Sequence, residues 1–211
     1  MSDIPNKSLK APRYPTEMEL AAYNEAGHAI AGIVQGRWIG RILIRQEEES
    51  WEGKTGQDID WCAGMLPNVP PRALYTRIDY PYPQGNRRFI NAEICILKFA
   101  GVVAEELLCE QRGVNTDQVR IGKNDVIEAE GLARGQFPDD PQKQQEMLHN
   151  TKSLARKILS DPACWHTVEV LARAVMDENV KEPVMNGERA HEIIDQAFAQ
   201  DLTLKDDTLV P

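Results

Sequence analysis

Apolar positions along the chain recur with helical spacing in several long segments. The first such segment begins at Thr16 and Glu19, whose spacing is that of a capping box, in which each side chain bonds the backbone N–H of the other residue. Gly36 is a natural stop for this helix. Between these points the apolar residues form one stripe typical of a helix that buries one face: Met18, Ala22, Ala26, Ala29, Ile30 and Ile33.

A short β signal follows the first helix. Residues Arg41 to Gln46 have the pattern of a strand, and Thr55 to Trp61, beyond an acidic turn, has the pattern of its hairpin partner. The segment from Met65 to Arg88 contains five prolines and no sustained period, which predicts a long loop. The hairpin is the one convincing β signal in the sequence.

The remaining chain predicts five further helices. Two of them begin with an aspartate followed by proline, an N-cap residue and a residue whose missing N–H costs nothing at the first helical position. We therefore expect a mainly α domain over residues 16–200, with one small β-hairpin, between flexible segments 1–15 and 201–211. The predicted helices run from about Ile90 to Glu110, from Asn124 or Asp125 to a point before Pro138, from Asp140–Pro141, from Asp161–Pro162, and from about Gly187 to Gln200.

Charge and composition narrow the classes of partner. The chain has 211 residues and a net charge of −9, which disfavours binding to nucleic acid. No apolar run approaches the roughly 18 residues that span a bilayer, and the polar start of the chain has no export signal, so we expect no membrane association and a cytoplasmic location. The four cysteines form no CxxC pair and predict free thiols: Cys62, Cys95, Cys109 and Cys164.

Candidate chemistry lies in the first predicted helix, at Asn24, Glu25 and His28. Residues four apart share a helix face, so Asn24 and His28 point to a common place, and Glu25 borders it. This is the geometry of H-E-x-x-H, in which two histidines hold zinc and the glutamate activates a metal-bound water. Taken alone the spacing is a weak signal, because a packed histidine beside a solvated glutamate has the same pattern.

Four segments resemble the metallopeptidase domain of the FtsH type, peptidase family M41. The first, Tyr23 to Ala29, resembles the family's AYHEAGHA segment. Together the segments follow the family's order over roughly residues 16–198, and the resemblance implies an FtsH protease-domain-like helical bundle. The other three are Ala100 to Leu107, similar to GGRVAEEL with Val102 in the arginine position; Gly122 to Asp125 with Ala129, Ala133 and Arg134, similar to G-A-x-N-D…A…A-R; and Leu171 to Glu178 with Ile193 and Ile194, similar to the closing helices.

The resemblance also implies a role for individual positions. His28 would be a metal ligand, Glu25 the general base, and Asp125 the third ligand, although an Asn-Asp pair at a helix start is often only a cap. Glu105 and Glu106 are expected to form a solvated or structurally paired face. The hairpin would bind an extended peptide by strand addition, at Ile42, Ile44, Gly53 and Gly56.

The sequence departs from the family at Asn24, which stands where the first ligand histidine belongs. A neutral amide oxygen is a weak partner for Zn²⁺, so we expect weak or absent zinc, or a metal more tolerant of oxygen ligands such as Mn²⁺. A substitute histidine is a third alternative, with His149, His166 and His191 as the candidates. Packing is the simpler explanation for each of these three.

Three functions remain open on this basis. The first is a metallopeptidase that hydrolyses peptide bonds with a metal-bound water activated by Glu25, weakened by Asn24. The second is a catalytically inactive peptidase-like module that binds peptides or a protein partner, and the third is a structural protein with a relic motif. The chain has no phosphate-binding Gly-x-x-x-x-Gly-Lys-Ser/Thr loop, so the expected partners are unfolded or short peptides, a separate unfoldase or other protein, and further copies in a homo-oligomer.

Overall fold

The computed structural model describes residues 13–46, 55–62, 90–119, 121–179 and 184–206. Within these ranges the fold is mainly α, with six helices and one small antiparallel sheet, as the sequence predicts at this level. The elements are α1 (Glu17–Val34), β1 (Trp38–Gln46), β2 (Thr55–Cys62), α2 (Ile90–Gln111), α3 (Lys123–Gln136), α4 (Pro141–Leu159), α5 (Pro162–Asn179), β3 (Val184–Asn186) and α6 (Gly187–Asp206), with a 3-10 turn at Thr116–Gln118.

Helix α1 runs through the centre of the fold. Its predicted capping box is present: the Thr16 hydroxyl accepts from the Glu19 N–H at 3.1 Å, and the Glu19 carboxylate accepts from the Thr16 N–H at 2.9 Å. Every residue from Leu20 to Val34 is buried, because α2, α5 and the sheet surround the helix. The predicted single apolar stripe is therefore only part of the buried surface, and polar residues beside the stripe are buried as well.

Helices α1 and α2 pack closely through small residues. A Cβ atom on Gly27 would lie 2.6 Å from the Ala100 carbonyl oxygen and 2.7 Å from the Ala104 Cβ. No larger residue fits at position 27 without moving the α2 backbone. This close approach brings the polar side chains of α1 within hydrogen-bonding distance of α2.

The sheet has the strand order β2-β1-β3. The predicted hairpin is confirmed, with β1 and β2 paired antiparallel from Trp38–Cys62 to Gln46–Thr55. Strand β3, which pairs with Arg41 to Leu43 of β1, was not predicted, because three residues are too few to show an alternating pattern. His191 of α6 accepts a hydrogen bond from the Ile39 N–H at 3.1 Å and thereby joins the last helix to the sheet.

The predicted helix starts at Pro141 and Pro162 are confirmed. Helix α6 continues to Asp206, beyond the predicted end at Gln200, because no glycine or proline interrupts the sequence there. The predicted loop from Met65 to Arg88 lies outside the described residues, as do segments 1–12 and 207–211. None of the described helices has the length and apolarity needed to cross a membrane.

Candidate functional site

Three helices bring a set of polar side chains together in the interior. Asn24 and His28 come from α1, Lys98 and Glu105 from α2, and Asp125 from the first turn of α3. We call these five residues the polar cluster. The structure places the two groups that the sequence singled out as ligands next to each other, with 3.4 Å between His28 Nε2 and Asp125 Oδ2.

The sequence of α2 explains how its polar groups reach α1. Lys98, Gly101 and Glu105 are spaced three and four apart, so they lie along one face of the helix. Gly101 leaves the space that the α1 side chains fill: a Cβ at this position would lie 2.5 Å from His28 Nε2 and 2.7 Å from Asn24 Nδ2. The polar cluster is therefore packed tightly against the α2 backbone.

His28 is fixed by contacts at both ring nitrogens. Its Nδ1 lies 2.6 Å from the Leu97 carbonyl oxygen, to which it donates, and this contact leaves Nε2 facing Asp125. Burial by itself lowers the pKa of His28, but the contacts with Asp125, the charge of Glu25 and the Leu97 carbonyl together raise the pKa above its ordinary value. The contacts with Asp125 and with the Leu97 carbonyl therefore outweigh the effect of burial on the pKa of His28.

Asp125 is the hub of the polar cluster. Its Oδ1 accepts from Lys98 Nζ at 3.2 Å, while its Oδ2 faces both His28 and Asn24. Burial raises the pKa of Asp125, yet His28 and Lys98 outweigh burial and hold that pKa below its usual value. Asp125 is therefore an ionised group that accepts hydrogen bonds from α1 and α2. It is not the cap of its own helix, since the N-cap residue of α3 is Gly122.

Asn24 links two carboxyl groups. Its amide nitrogen donates to Glu105 Oε1 at 3.0 Å and to Asp125 Oδ2 at 3.4 Å, and its side chain is 0% exposed. Glu105 also accepts from the Gly122 N–H at 2.7 Å. Burial outweighs these donors and raises the pKa of Glu105 to about 8, so this carboxyl group is mostly protonated at neutral pH.

The donor set of the polar cluster does not fit a metal ion. The His28–Asp125 distance by itself would suit two zinc ligands, since ligands at about 2.0–2.1 Å in tetrahedral geometry are about 3.3 Å apart. The third position fails, because Asn24 turns its nitrogen, which cannot bind a metal, toward Asp125.

No other residue completes a metal site in the described part of the chain. There, no group of three or more His, Cys, Asp or Glu side chains is placed to hold a metal ion, so none of His149, His166 and His191 substitutes for the missing ligand. Glu25, the predicted general base, is 2% exposed. Its carboxyl group is in the interior and not at a surface that a substrate could reach.

The predicted peptide-binding residues lie in the sheet, and one of them cannot act as predicted. Ile42 pairs with Ile59 on one side and Met185 on the other, so the β1 backbone at this point is not a free sheet edge. The side chains of Ile42 and Ile44 are buried in the core. Gly56 of β2 pairs with Arg45 of β1, and β2 is at the end of the sheet among the described strands. Gly53 lies outside the described residues.

The two neighbouring glutamates of α2 have different surroundings. Glu105 belongs to the buried polar cluster, whereas Glu106 forms ion pairs with Lys152 at 2.7 Å and Arg156 at 3.2 Å of α4. The expectation of a structurally paired face matches Glu106. Lys98 was not considered from the sequence, although its helical spacing to Glu105 on an otherwise apolar segment was a usable signal.

A surface groove lies between α2 and α3. Its volume is about 490 Å³, and apolar side chains of both helices form part of its wall. Ile127 of α3 is 50% exposed, which is unusual for a large apolar residue in the described ranges. The groove is lined by Asn91, Ile94, Glu128, Gly131, Leu132 and Gly135.

The chain matches no protein-family model and no curated protein. Its likeness to the FtsH-type domain consequently consists of the short motifs around Asn24, Gly101 and Asp125 and their order in the sequence. The contacts of the polar cluster are an independent reason to treat these motifs as parts of one site.

Proposed function

We propose that this chain is an M41-like, peptidase-like module that binds peptides or a protein partner without cleaving them. The observation that carries the proposal is the orientation of the Asn24 amide, whose nitrogen donates to Glu105 and Asp125. A position that binds a metal in the resembled enzymes is here a hydrogen-bond donor. The motifs of the family are then parts of a structural core that joins three helices.

The surroundings of Glu25 support a non-hydrolytic role. Peptide hydrolysis needs an activated water and a group that stabilises the developing negative charge on the carbonyl oxygen. Glu25 is 2% exposed, and the nearby His28 and Asp125 are bonded to each other and to Leu97 and Lys98. These contacts join α1, α2 and α3.

Two surfaces suit a binding function. The α2–α3 groove has apolar walls at Ile94 and Leu132, the composition of a surface that takes up an apolar side chain of a partner, and Ile127 is a further exposed apolar residue on α3. Among the described strands, β2 is at the end of the sheet, so its outer backbone can accept an extended peptide by strand addition. Unfolded or short peptides and a separate protein partner fit these surfaces.

Cleavage is tested directly with an unfolded protein substrate. We expect the purified chain to leave a fluorogenic unfolded substrate intact with added Zn²⁺, with Mn²⁺ and with a chelator. The competing hypothesis, metal-dependent peptide hydrolysis weakened by Asn24, predicts metal-stimulated cleavage. Loss of that cleavage in Glu25→Gln would establish the enzyme and overturn the binding-module proposal.

Binding is tested with labelled unstructured peptides and a groove-filling variant. A Cβ at Gly135 meets no atom within 4 Å, so Gly135→Leu fills the groove without disturbing the fold. Fluorescence anisotropy should show peptide binding by the wild type, a loss of at least about tenfold in affinity for Gly135→Leu, and none for the exposed control Gln145→Leu. Equal binding by all three proteins excludes the groove, and protection of β2 amides from hydrogen exchange would then identify the sheet edge.

A further inference from the structure

The charge of Asp125 is balanced by a side chain that belongs to the chain itself. Lys98 Nζ lies 3.2 Å from Asp125 Oδ1 and 2.8 Å from Glu128 Oε2. Its side chain is only 29% exposed, so its ammonium group is partly removed from solvent. A buried carboxylate is stable only when it is paired and hydrogen-bonded, and Lys98 meets that need for Asp125.

We propose that Lys98 is a resident counter-ion that takes over the charge-neutralising task of a divalent metal and makes the polar cluster independent of metal. The inference rests on the proposed function, because it explains how the family's site is maintained without a metal. Asp125 receives donors from both neighbouring helices, with Lys98 from α2 and His28 and Asn24 from α1. These contacts join α1, α2 and α3 around one carboxylate.

The same ammonium group opposes metal binding. A divalent cation at Asp125 would lie within a few ångströms of a fixed positive charge, and like charges at that distance in a partly buried site repel strongly. Restoring the missing histidine at position 24 alone should therefore give a weakened site. Removal of Lys98 should strengthen that restored site.

The comparison uses the variants Asn24→His and Asn24→His with Lys98→Met, titrated with Zn²⁺ by calorimetry. We expect the double variant to bind Zn²⁺ at least about tenfold more tightly than the single variant, because the competing cation has been removed. The matched control is Lys152→Met in the Asn24→His background. Lys152 forms an equally close ion pair with Glu106 at 2.7 Å, away from the polar cluster, so its loss should leave zinc affinity unchanged.

Thermal unfolding supplies a readout that does not depend on the engineered histidine. Lys98→Met should lower the melting temperature by about 5 °C or more, because Asp125 loses its ammonium partner and keeps only the contacts with His28 and Asn24, while Lys152→Met should change it little. The wild type should melt at the same temperature with Zn²⁺ and with chelator.

The results for the Lys98 variants test the counter-ion inference, and the result for the wild type with zinc tests whether the polar cluster needs a metal. Equal zinc affinity of Asn24→His with and without Lys98, or a wild-type melting temperature for Lys98→Met, would overturn the counter-ion inference while leaving the binding-module proposal intact. Zinc-dependent stabilisation of the wild type would contradict both the metal independence inferred here and the proposed function, whatever the Lys98 variants do.

Discussion

Two carboxyl groups in the interface between α1 and α2 are stabilised in opposite ways. At the start of α1, the Glu19 carboxylate accepts hydrogen bonds from both terminal nitrogens of the Arg112 guanidinium, Nη1 at 3.1 Å and Nη2 at 2.7 Å. Midway along α1, Glu105 of α2 meets the neutral amide of Asn24 and the Gly122 N–H. The hydrogen bonds from Arg112 lower the pKa of Glu19 to about 2, whereas burial raises the pKa of Glu105 to about 8.

The difference between Glu19 and Glu105 shows how the partner of a carboxyl group changes with its depth in the fold. A charged pair is used at the edge of the interface, where water still reaches the guanidinium, and an amide with a protonated carboxyl group is used in the middle. The single ionised carboxylate of the interior, among the polar-cluster residues, is Asp125, and it has its own cation in Lys98. The amide nitrogen of Asn24 is therefore a donor to two carboxyl groups of this interior.

The largest effect on the free energy of unfolding is expected when an acceptor replaces the amide donor at position 24. Asn24→Asp keeps the shape of the side chain but places a third carboxylate against Glu105 and Asp125. At pH 7 with chelator we expect a loss of about 3–5 kcal/mol in the free energy of unfolding, measured with urea, because a buried charge is left unpaired. Asn115→Asp is the matched control, since Asn115 is exposed and accepts from the Asp117 N–H, which an aspartate also does. Equal stability of Asn24→Asp and wild type would show that the amide nitrogen is not the group that faces the carboxyl groups.

A smaller effect tests how tightly the polar cluster is packed. Gly101→Ala should lose about 1–3 kcal/mol, because the added Cβ would overlap His28 and Asn24. The same substitution at Gly131, where the nearest atom to an added Cβ is 4.0 Å away, should gain up to about 1 kcal/mol through helix propensity. Chemical denaturation of both variants measures the pair, and a stable Gly101→Ala would mean that the cluster has room for a further atom.

The ion pair between Glu19 and Arg112 should contribute less to the stability of the fold at low pH. Glu19→Gln is expected to cost about 1–2 kcal/mol at pH 7, because it removes the ionised partner of Arg112. The folded pKa of Glu19 lies below its ordinary value, so this contribution is present above about pH 4.5 and is lost as the pH falls toward about 2. Urea midpoints of the variant and the wild type should therefore converge in acid. A constant difference down to pH 2 would contradict the ion pair.

The most sensitive test compares the pKa values of Glu19 and Glu105 directly. Carboxyl carbon NMR titration should place Glu19 near 2 and Glu105 near 8 in the same sample. Because Glu105 keeps its proton in the folded state above the unfolded value of 4.5, its contribution reduces stability as the pH rises from about 4.5 to about 8. A Glu105 that titrates near 4.5 would mean that the middle of the interface is solvated.

Features that depend on residues close together in the sequence were predictable, and features that depend on distant residues were not. The capping box at Thr16, the aspartate–proline starts of α4 and α5 and the hairpin are local features, so short-range patterns indicate them. The contact between His28 and Asp125 was expected through the FtsH resemblance and not through any local pattern. The complete burial of α1 and the pairing of β3 depend on how helices and strands pack together, and no single segment encodes that packing.

Lys98 shows most clearly what the motifs omit. The motif consists of residue types that bind metals, and an ammonium group is not one of them. Its role emerges from distance alone, since Asp125 lies 27 residues further along the chain and 3.2 Å away in space. The sequence signal for Lys98 is its i, i+3 and i+7 spacing with Gly101 and Glu105 on one face of α2.

Calorimetric titration of the chelator-treated wild type with Zn²⁺ tests most directly whether the polar cluster functions without a metal. We expect no stoichiometric binding up to about 100 μM zinc, because Asn24 presents a donor and Lys98 already neutralises Asp125. Binding of one zinc ion per chain at micromolar concentration, abolished by His28→Ala, would contradict a metal-independent polar cluster and would favour the metallopeptidase hypothesis.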